Sequence, residues 1–284
     1  MKHFLILLLI FSYSLIAAQE INVATYNIRF NNPSDGINAW PNRVDMVAGL
    51  LKFHEIDLFG LQESLYGQIQ DIEAALPEYG WIGTGRDDGD KKGEFSPVFY
   101  NKKRFKLVDK GQFWLSETPE KPGLGWDAAC YRVCTWGKFI QNETGKNFYV
   151  FNTHFDHVGD TARANSAKMI KAFIEEKSKT EKLPVILTGD FNLTPETYPI
   201  SLIKENLYDS REVTEEPPYG PLGTYNAFQH NHPLDRRIDY IFVNDKVKVI
   251  KYAVLSDSKE NRYPSDHLPV LITISLKQIK KLNR

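Results

Sequence analysis

The chain of 284 residues is poor in cysteine: Cys130 and Cys134 are the only two. Both fall in the run Cys130-Tyr131-Arg132-Val133-Cys134-Thr135-Trp136, which reads as a strand. Four residues at a rise of ~3.3 Å hold the two Cα atoms ~13 Å apart, and a disulfide spans at most ~7 Å. The expectation is two buried, unpaired thiols on one strand face, in a fold that relies on its core. Net charge is nearly absent as well. Lys and Arg number 35 against 36 Asp and Glu, leaving −1, so no global positive field marks a polyanion partner. Internal repeats and linker-like breaks are missing, which favours one domain over residues 19–284. Long apolar runs are missing too, except at the start. There Lys2 and His3 precede the apolar run Phe4 to Ile16 and the small pair Ala17-Ala18. That run is shorter than the ~18 residues of a membrane span and has the form of a signal peptide, 1–18, cut after Ala18. The pattern anticipates a secreted protein, periplasmic or extracellular, without stable membrane insertion. It points to no protein partner and is read as a monomer.

What is present is core-forming residue: 42% of the chain is apolar and 13% aromatic, enough to exclude a disordered or fibrous chain. Apolar strand patterns occur at 21–30, 56–63, 79–83, 96–100, 105–115, 130–141, 147–155, 183–190, 238–243, 247–255 and 269–276. Helical spacing marks roughly 41–54, 65–76, 161–178 and 199–205. The polar loop 84–94 is expected to be the most mobile early segment, and 211–235 reads as a long loop. Strands outnumber helices by more than two to one, the pattern of an α+β domain in which two sheets pack face to face under outer helices.

The stretch Leu187-Thr188-Gly189-Asp190-Phe191-Asn192 ends the apolar run Leu183-Pro184-Val185-Ile186. Asp190 and Asn192, two residues apart, share a face of an extended chain. They suit a hydrated divalent metal and an anionic oxygen, and equally an Asx-rich turn closing a strand. Asn27, Glu63, His154 with Asp156, Asp239, and Asp266-His267 also stand at strand edges. Recurrence of acids, amides and histidines at so many strand edges is what a polar site at one end of a sandwich requires.

The motifs TYNIR at 25–29, LQE at 61–63, NTHFD at 152–156, GDFN at 189–192, RIDYIF at 237–242 and SDHLPV at 265–270 resemble, in order, those of the endonuclease/exonuclease/phosphatase family. The resemblance implies the deoxyribonuclease I-like fold, a four-layer α/β/β/α sandwich of two mainly antiparallel sheets. It implies Glu63, Asn27 and Asp266 around a catalytic Mg²⁺, for which Mn²⁺ substitutes. It places Asp190 and Asn192 on the attacking water and the phosphate, His267 with its partner Asp239 at the scissile phosphate, and His154 as a second histidine. Within the family the chain looks like secreted bacterial members, with distant similarity to the nocturnin and deadenylase branch.

The chemistry is consistent with that set. A phosphodiester repels hydroxide, and a hard cation on oxygen ligands neutralises it. An Asp–His couple fixes the imidazole tautomer. Arg29, Arg163 and Asp156 are candidate substrate contacts, though an arginine there serves equally as a surface ion pair. Trp114 and Trp126 are candidates for base stacking or for core anchors. His230 and His232 have no further ligands to complete a zinc site. The expected function is hydrolysis of a phosphodiester or phosphomonoester, foremost in nucleic acid or nucleotides. Alternatives are a sphingomyelinase-like phospholipase C, for which no apolar membrane-entering loop stands out, and a silent binding module. The latter should have lost Glu63, Asp190, Asp239 or His267, and all are present.

Overall fold

A computed structural model describes residues 20–277. The expected signal peptide and the basic tail beyond Lys277 lie outside the described residues. Six strands form a first sheet: β1 (Glu20–Asn27), β2 (Leu58–Gln62), β3 (Tyr79–Ile82), β4 (Val98–Asn101), β11 (Val247–Val254) and β12 (Val270–Leu276). Their order is β11-β12-β1-β2-β4-β3. The second sheet has the order β5-β6-β7-β8-β10-β9. Its members are β5 (Phe105–Trp114), β6 (Val133–Gln141), β7 (Asn147–His154), β8 (Val185–Asp190), β9 (Tyr208–Asp209) and β10 (Asp239–Val243). Only the pairs β1/β2 and β7/β8 run parallel; every other neighbour is antiparallel.

Strand alternation builds three apolar layers. Ile21 and Val23 of β1, Leu58 of β2, Val150 of β7, Ile186 of β8 and Ile241 of β10 meet between the sheets. The intervening residues face outward. On the first sheet Ala24, Tyr26, Phe59 and Leu61 meet Val47, Leu50 and Leu51 of α1 (Val44–Phe53) and Ile69 and Ile72 of α2 (Tyr66–Ala75). On the second, Phe151, Leu187, Tyr240 and Phe242 meet Ile170 and Ile174 of α3 (Asp160–Thr180) and Ile200 and Ile203 of α4 (Tyr198–Lys204). The result is the expected α/β/β/α sandwich. A further turn of helix, α5 (Ser210–Val213), opens the long loop before β10.

Toward one end the inter-sheet layer changes from apolar to polar. Gln62 Nε2 donates to Thr25 Oγ1 (3.0 Å) and to Asn152 Oδ1 (2.7 Å). Thr188 Oγ1 donates to the same oxygen (2.9 Å), and Asn152 Nδ2 donates to the carbonyls of Leu61 and Pro97. Gly60 makes this approach possible, since a Cβ there would lie 2.3 Å from Asn152 Oδ1. A buried network with its donors satisfied fixes the register of the two sheets beneath the site.

Two expectations change. The strand expected from 130 begins at Val133, so Cys130 lies in a bend and is half-buried, while Cys134 is buried; both thiols are free. The turn at Cys130 is set by Asp156, whose carboxylate receives the backbone N–H groups of Ala129 and Cys130. The loop expected to be most mobile, 84–94, is tied back on itself. Gly85 N donates to Asp90 O, Arg86 N to Glu94 O, and Asp88 Oδ1 accepts from the N–H groups of Asp90 and Lys92.

Candidate active site

The alternation that fills the core also aims the site. In β1 the inward series Ile21, Val23, Thr25 ends at Asn27; in β7 Phe148, Val150, Asn152 ends at His154. In β8 Ile186 and Thr188 lead to Asp190, and in β10 Val243 and Ile241 lead back to Asp239. Register completes the convergence: His154 pairs with Asp190, and Asp190 with Asp239.

Glu63 follows β2 and by alternation would face outward. A left-handed φ of 60° turns it inward, and its Oε1 accepts from Asn27 Nδ2 at 3.0 Å. The same Asn27 amide donates to Asp190 Oδ2 at 3.0 Å, and its oxygen accepts from Arg29 N. Asn27 therefore links two carboxylates with its NH₂ group. Asn192, also left-handed at φ 52°, donates from Nδ2 to Phe155 O (3.0 Å) and His154 Nε2 (3.1 Å).

His267 Nδ1 lies 2.9 Å from Asp239 Oδ2, and its Nε2 is 3.9 Å from Asp190 Oδ2. Burial alone would discharge His267, but Asp239, Asp190 and Asp266 outweigh it and hold the imidazole well above its ordinary pKa. His154 goes the other way: burial, then Arg132 and Arg86, keep it well below, as a neutral ring. Burial and the neighbouring Asp239 push the Asp190 carboxyl up to about 7. Asp266 is raised by burial and by Glu63, against the pull of His267.

These groups line one pocket of about 440 Å³. Glu63, Asp190, Asp266, His267, His154, Asn192 and Arg29 are in its wall, with Asp239 directly behind His267. Asp156 and Arg163 are not. Asp156 is buried and takes four backbone N–H groups, and Arg163 donates to the Asp156 carbonyl and pairs with Asp160. Trp114 is buried and donates Nε1 to Arg86 O, so it is a core anchor; neither it nor Trp126 reaches the wall. His230 stacks on Tyr263 and His232 contacts Pro233 O, away from any ligand cluster. Sequence reading missed Arg86, Glu94, Cys130, Arg132, His157, Tyr225 and Arg236, which also line the pocket. They come from loops between strands, where spacing carries no directional signal.

Among the described residues, two clusters have the spacing to hold an ion: Asp190, Asp239 and His267, and Cys130, Asp156 and His157. The first cluster, with Glu63 and Asp266 in the same pocket, fits a hard divalent cation. Its carboxylate oxygens suit such an ion, and the carboxyls of Asp190 and Asp266 are raised first by burial and then by the neighbouring acids Asp239 and Glu63. The second cluster fits poorly, because both oxygens of Asp156 are taken by backbone donors.

The profile of the endonuclease/exonuclease/phosphatase family matches residues 24–267, and the chain belongs to that family. A crystal structure of a family member from Bacteroides thetaiotaomicron is 40% identical, with a TM-score of 0.87 over 92% of this chain and 99% of that one. A mannosyl-6-phosphatase of the same organism is 41% identical, with a TM-score of 0.86 over 90% and 100%. The human Nocturnin catalytic domain, at 19% identity and a TM-score of 0.71 over 91% and 94%, shares the fold. Fold, family and the gathered carboxylates together support hydrolase activity. Among the described residues, no helix is long and apolar enough to cross a membrane.

Proposed function

We propose that the chain is a metal-dependent hydrolase that cleaves phosphoester bonds in small phosphorylated molecules. The observation that carries this reading is the meeting of Glu63, Asp266, Asp190, Asn192, His154 and the Asp239–His267 couple at one pocket. Glu63 and Asp266 would hold Mg²⁺ or Mn²⁺, which neutralises the phosphate and polarises its oxygens. Asp190 and Asn192 orient the attacking water, with Asp190 accepting its proton. Asp239 fixes His267 through Nδ1, which leaves Nε2 toward the pocket to stabilise charge on a phosphate or leaving oxygen. His154, neutral and accepting from Asn192 at Nε2, keeps its proton on Nδ1 and fixes the Asn192 amide beside Asp190.

A small substrate is supported by the limited size of the pocket, about 440 Å³. Of the basic pair Arg236-Arg237, Arg237 is buried against Asp209 at 2.6 Å and unavailable to a polynucleotide, while Arg236 lines the pocket. The similarity to a mannosyl-6-phosphatase favours a phosphomonoester on a sugar. Nucleotides are the second reading, favoured by the family's nucleases. The test is hydrolysis of p-nitrophenyl phosphate and bis(p-nitrophenyl) phosphate in Mg²⁺, in EDTA, and by His267→Ala. Turnover should require Mg²⁺ and His267. Full activity in EDTA, or plasmid nicking faster than small-ester hydrolysis, would overturn the proposal. Export is part of the same proposal, and a mature N-terminus other than Gln19 would count against the expected cleavage.

A further inference from the structure

Beside His154 the pocket has a second polar wall that the hydrolytic step does not use. Arg86 donates Nη1 and Nη2 to the two oxygens of Glu94, at 2.8 and 2.9 Å. Glu94 Oε2 then lies 3.9 Å from His154 Nδ1, one side chain away from the reacting centre. Arg132, 5% exposed, closes the wall, with Nη1 4.0 Å from Glu94 and Nε 3.6 Å from Asp156. Those two nitrogens, Arg86 Nε and His154 Nδ1 have no hydrogen-bond partner among the described residues. Buried guanidinium donors are costly to leave unpaired. The wall is also rigid: Arg86 N donates to Glu94 O, Trp114 Nε1 holds Arg86 O, and Leu115 N holds Arg132 O.

We infer that this wall binds the hydroxyl groups of a phosphorylated sugar, an inference that rests on the phosphoesterase reading for where the phosphate sits. Two guanidiniums are offset by Glu94 and Asp156, so the wall is close to neutral and offers little to a second phosphate. It sets the Glu94 carboxylate, an acceptor, beside the guanidiniums of Arg86 and Arg132 in the pocket lining, the pattern that adjacent hydroxyls satisfy because each both donates and accepts. A nucleobase would want a flat aromatic face; the pocket's two aromatic residues lie elsewhere in it, Phe30 under Arg29 and Tyr225 against His267, while Trp114 is packed behind Arg86.

The experiment is calorimetric binding in EDTA, where turnover is off, of mannose 6-phosphate, glucose 6-phosphate, adenosine 5′-monophosphate and ethyl phosphate. The unmodified chain and Glu94→Gln are compared, with Mg²⁺-dependent hydrolysis of p-nitrophenyl phosphate measured alongside. A hexose 6-phosphate should bind at least about tenfold tighter than ethyl phosphate, the value of a hydrogen bond to a charged group. Glu94→Gln should remove that advantage. No advantage for the hexose, tighter binding of the adenosine nucleotide, or equal weakening of hexose and ethyl phosphates by Glu94→Gln overturns the inference. Because the ligand series is run on the unmodified chain, a variant that fails to fold leaves the test intact. If p-nitrophenyl phosphate is cleaved without a sugar advantage, the inference falls and the phosphoesterase reading stands. If no phosphoester is cleaved while Glu94-dependent sugar binding persists, the reverse holds.

Discussion

Two acid–histidine clusters lie at neighbouring strand ends and have opposite electrostatics. In the first, Asp239 gives one oxygen to His267 and leaves Oδ1 without a hydrogen-bond partner among the described residues, while Asp190 is pushed up to about 7 by burial and Asp239. In the second, burial raises Asp156 but is outweighed by the backbone N–H groups of Gly159, Val158 and Ala129, so its carboxyl falls to about 2. Residue type does not separate a reactive acid from a structural one. What separates them is whether backbone donors have already claimed the oxygens. The first cluster keeps carboxylate oxygens that no backbone donor has claimed, and the second braces the turn that carries Cys130 and Arg132.

The largest effect that could break this contrast is on turnover. Asp239→Asn or His267→Ala should each lower kcat by about 10²- to 10⁴-fold. The double variant should be little worse than either single one, because the couple acts as a unit. Multiplicative losses would mean that the two residues work apart. Asp156→Ala, by contrast, should act on stability. It strands several buried N–H groups, and a loss of roughly 3 kcal/mol in urea unfolding is expected.

The pH dependence should carry opposite signs. Asp156 has a folded pKa below its unfolded value of about 4, so it stabilises the fold above that pH. That contribution disappears as pH falls from about 4 to about 2, making acid unfolding shallower in Asp156→Asn. Asp190 has a raised folded pKa, so its contribution declines as pH climbs from about 4 to about 7. In EDTA at pH 8, Asp190→Asn should therefore raise Tm while abolishing turnover, and Asp156→Asn should lower Tm. The same sign for both would erase the distinction. A narrower effect concerns the metal: Glu63→Gln should weaken Mg²⁺ binding by at least about tenfold in calorimetry while leaving Tm in EDTA nearly unchanged.

The smallest effect is chemical. Cys130, half-buried in the pocket wall, should be alkylated in the native protein. Cys134, whose thiol burial pushes far upward, should react only after unfolding. Mass spectrometry without reductant should find two free thiols.

Much of the site was written in the sequence as parity. Asn27, His154, Asp190 and Asp239 each end an alternating strand on the face of its core residues, so any fold that buried those residues between sheets had to gather the polar ends. All strands but the two-residue β9 and the four longer helices were legible for the same reason, because burial imposes periods of two and 3.6. Tertiary structure decided what periodicity cannot express. Glu63 and Asn192 reach the pocket through left-handed backbone at φ 60° and 52°. Asp156 shares its face with His154 in sequence but is consumed by N–H groups from residues 129, 130, 158 and 159. Arg86, Glu94 and Arg132 become one wall only after the β3–β4 loop folds back beside the segment entering β6. Side-chain direction in a loop follows its long-range hydrogen bonds, and those form only when the whole chain has packed.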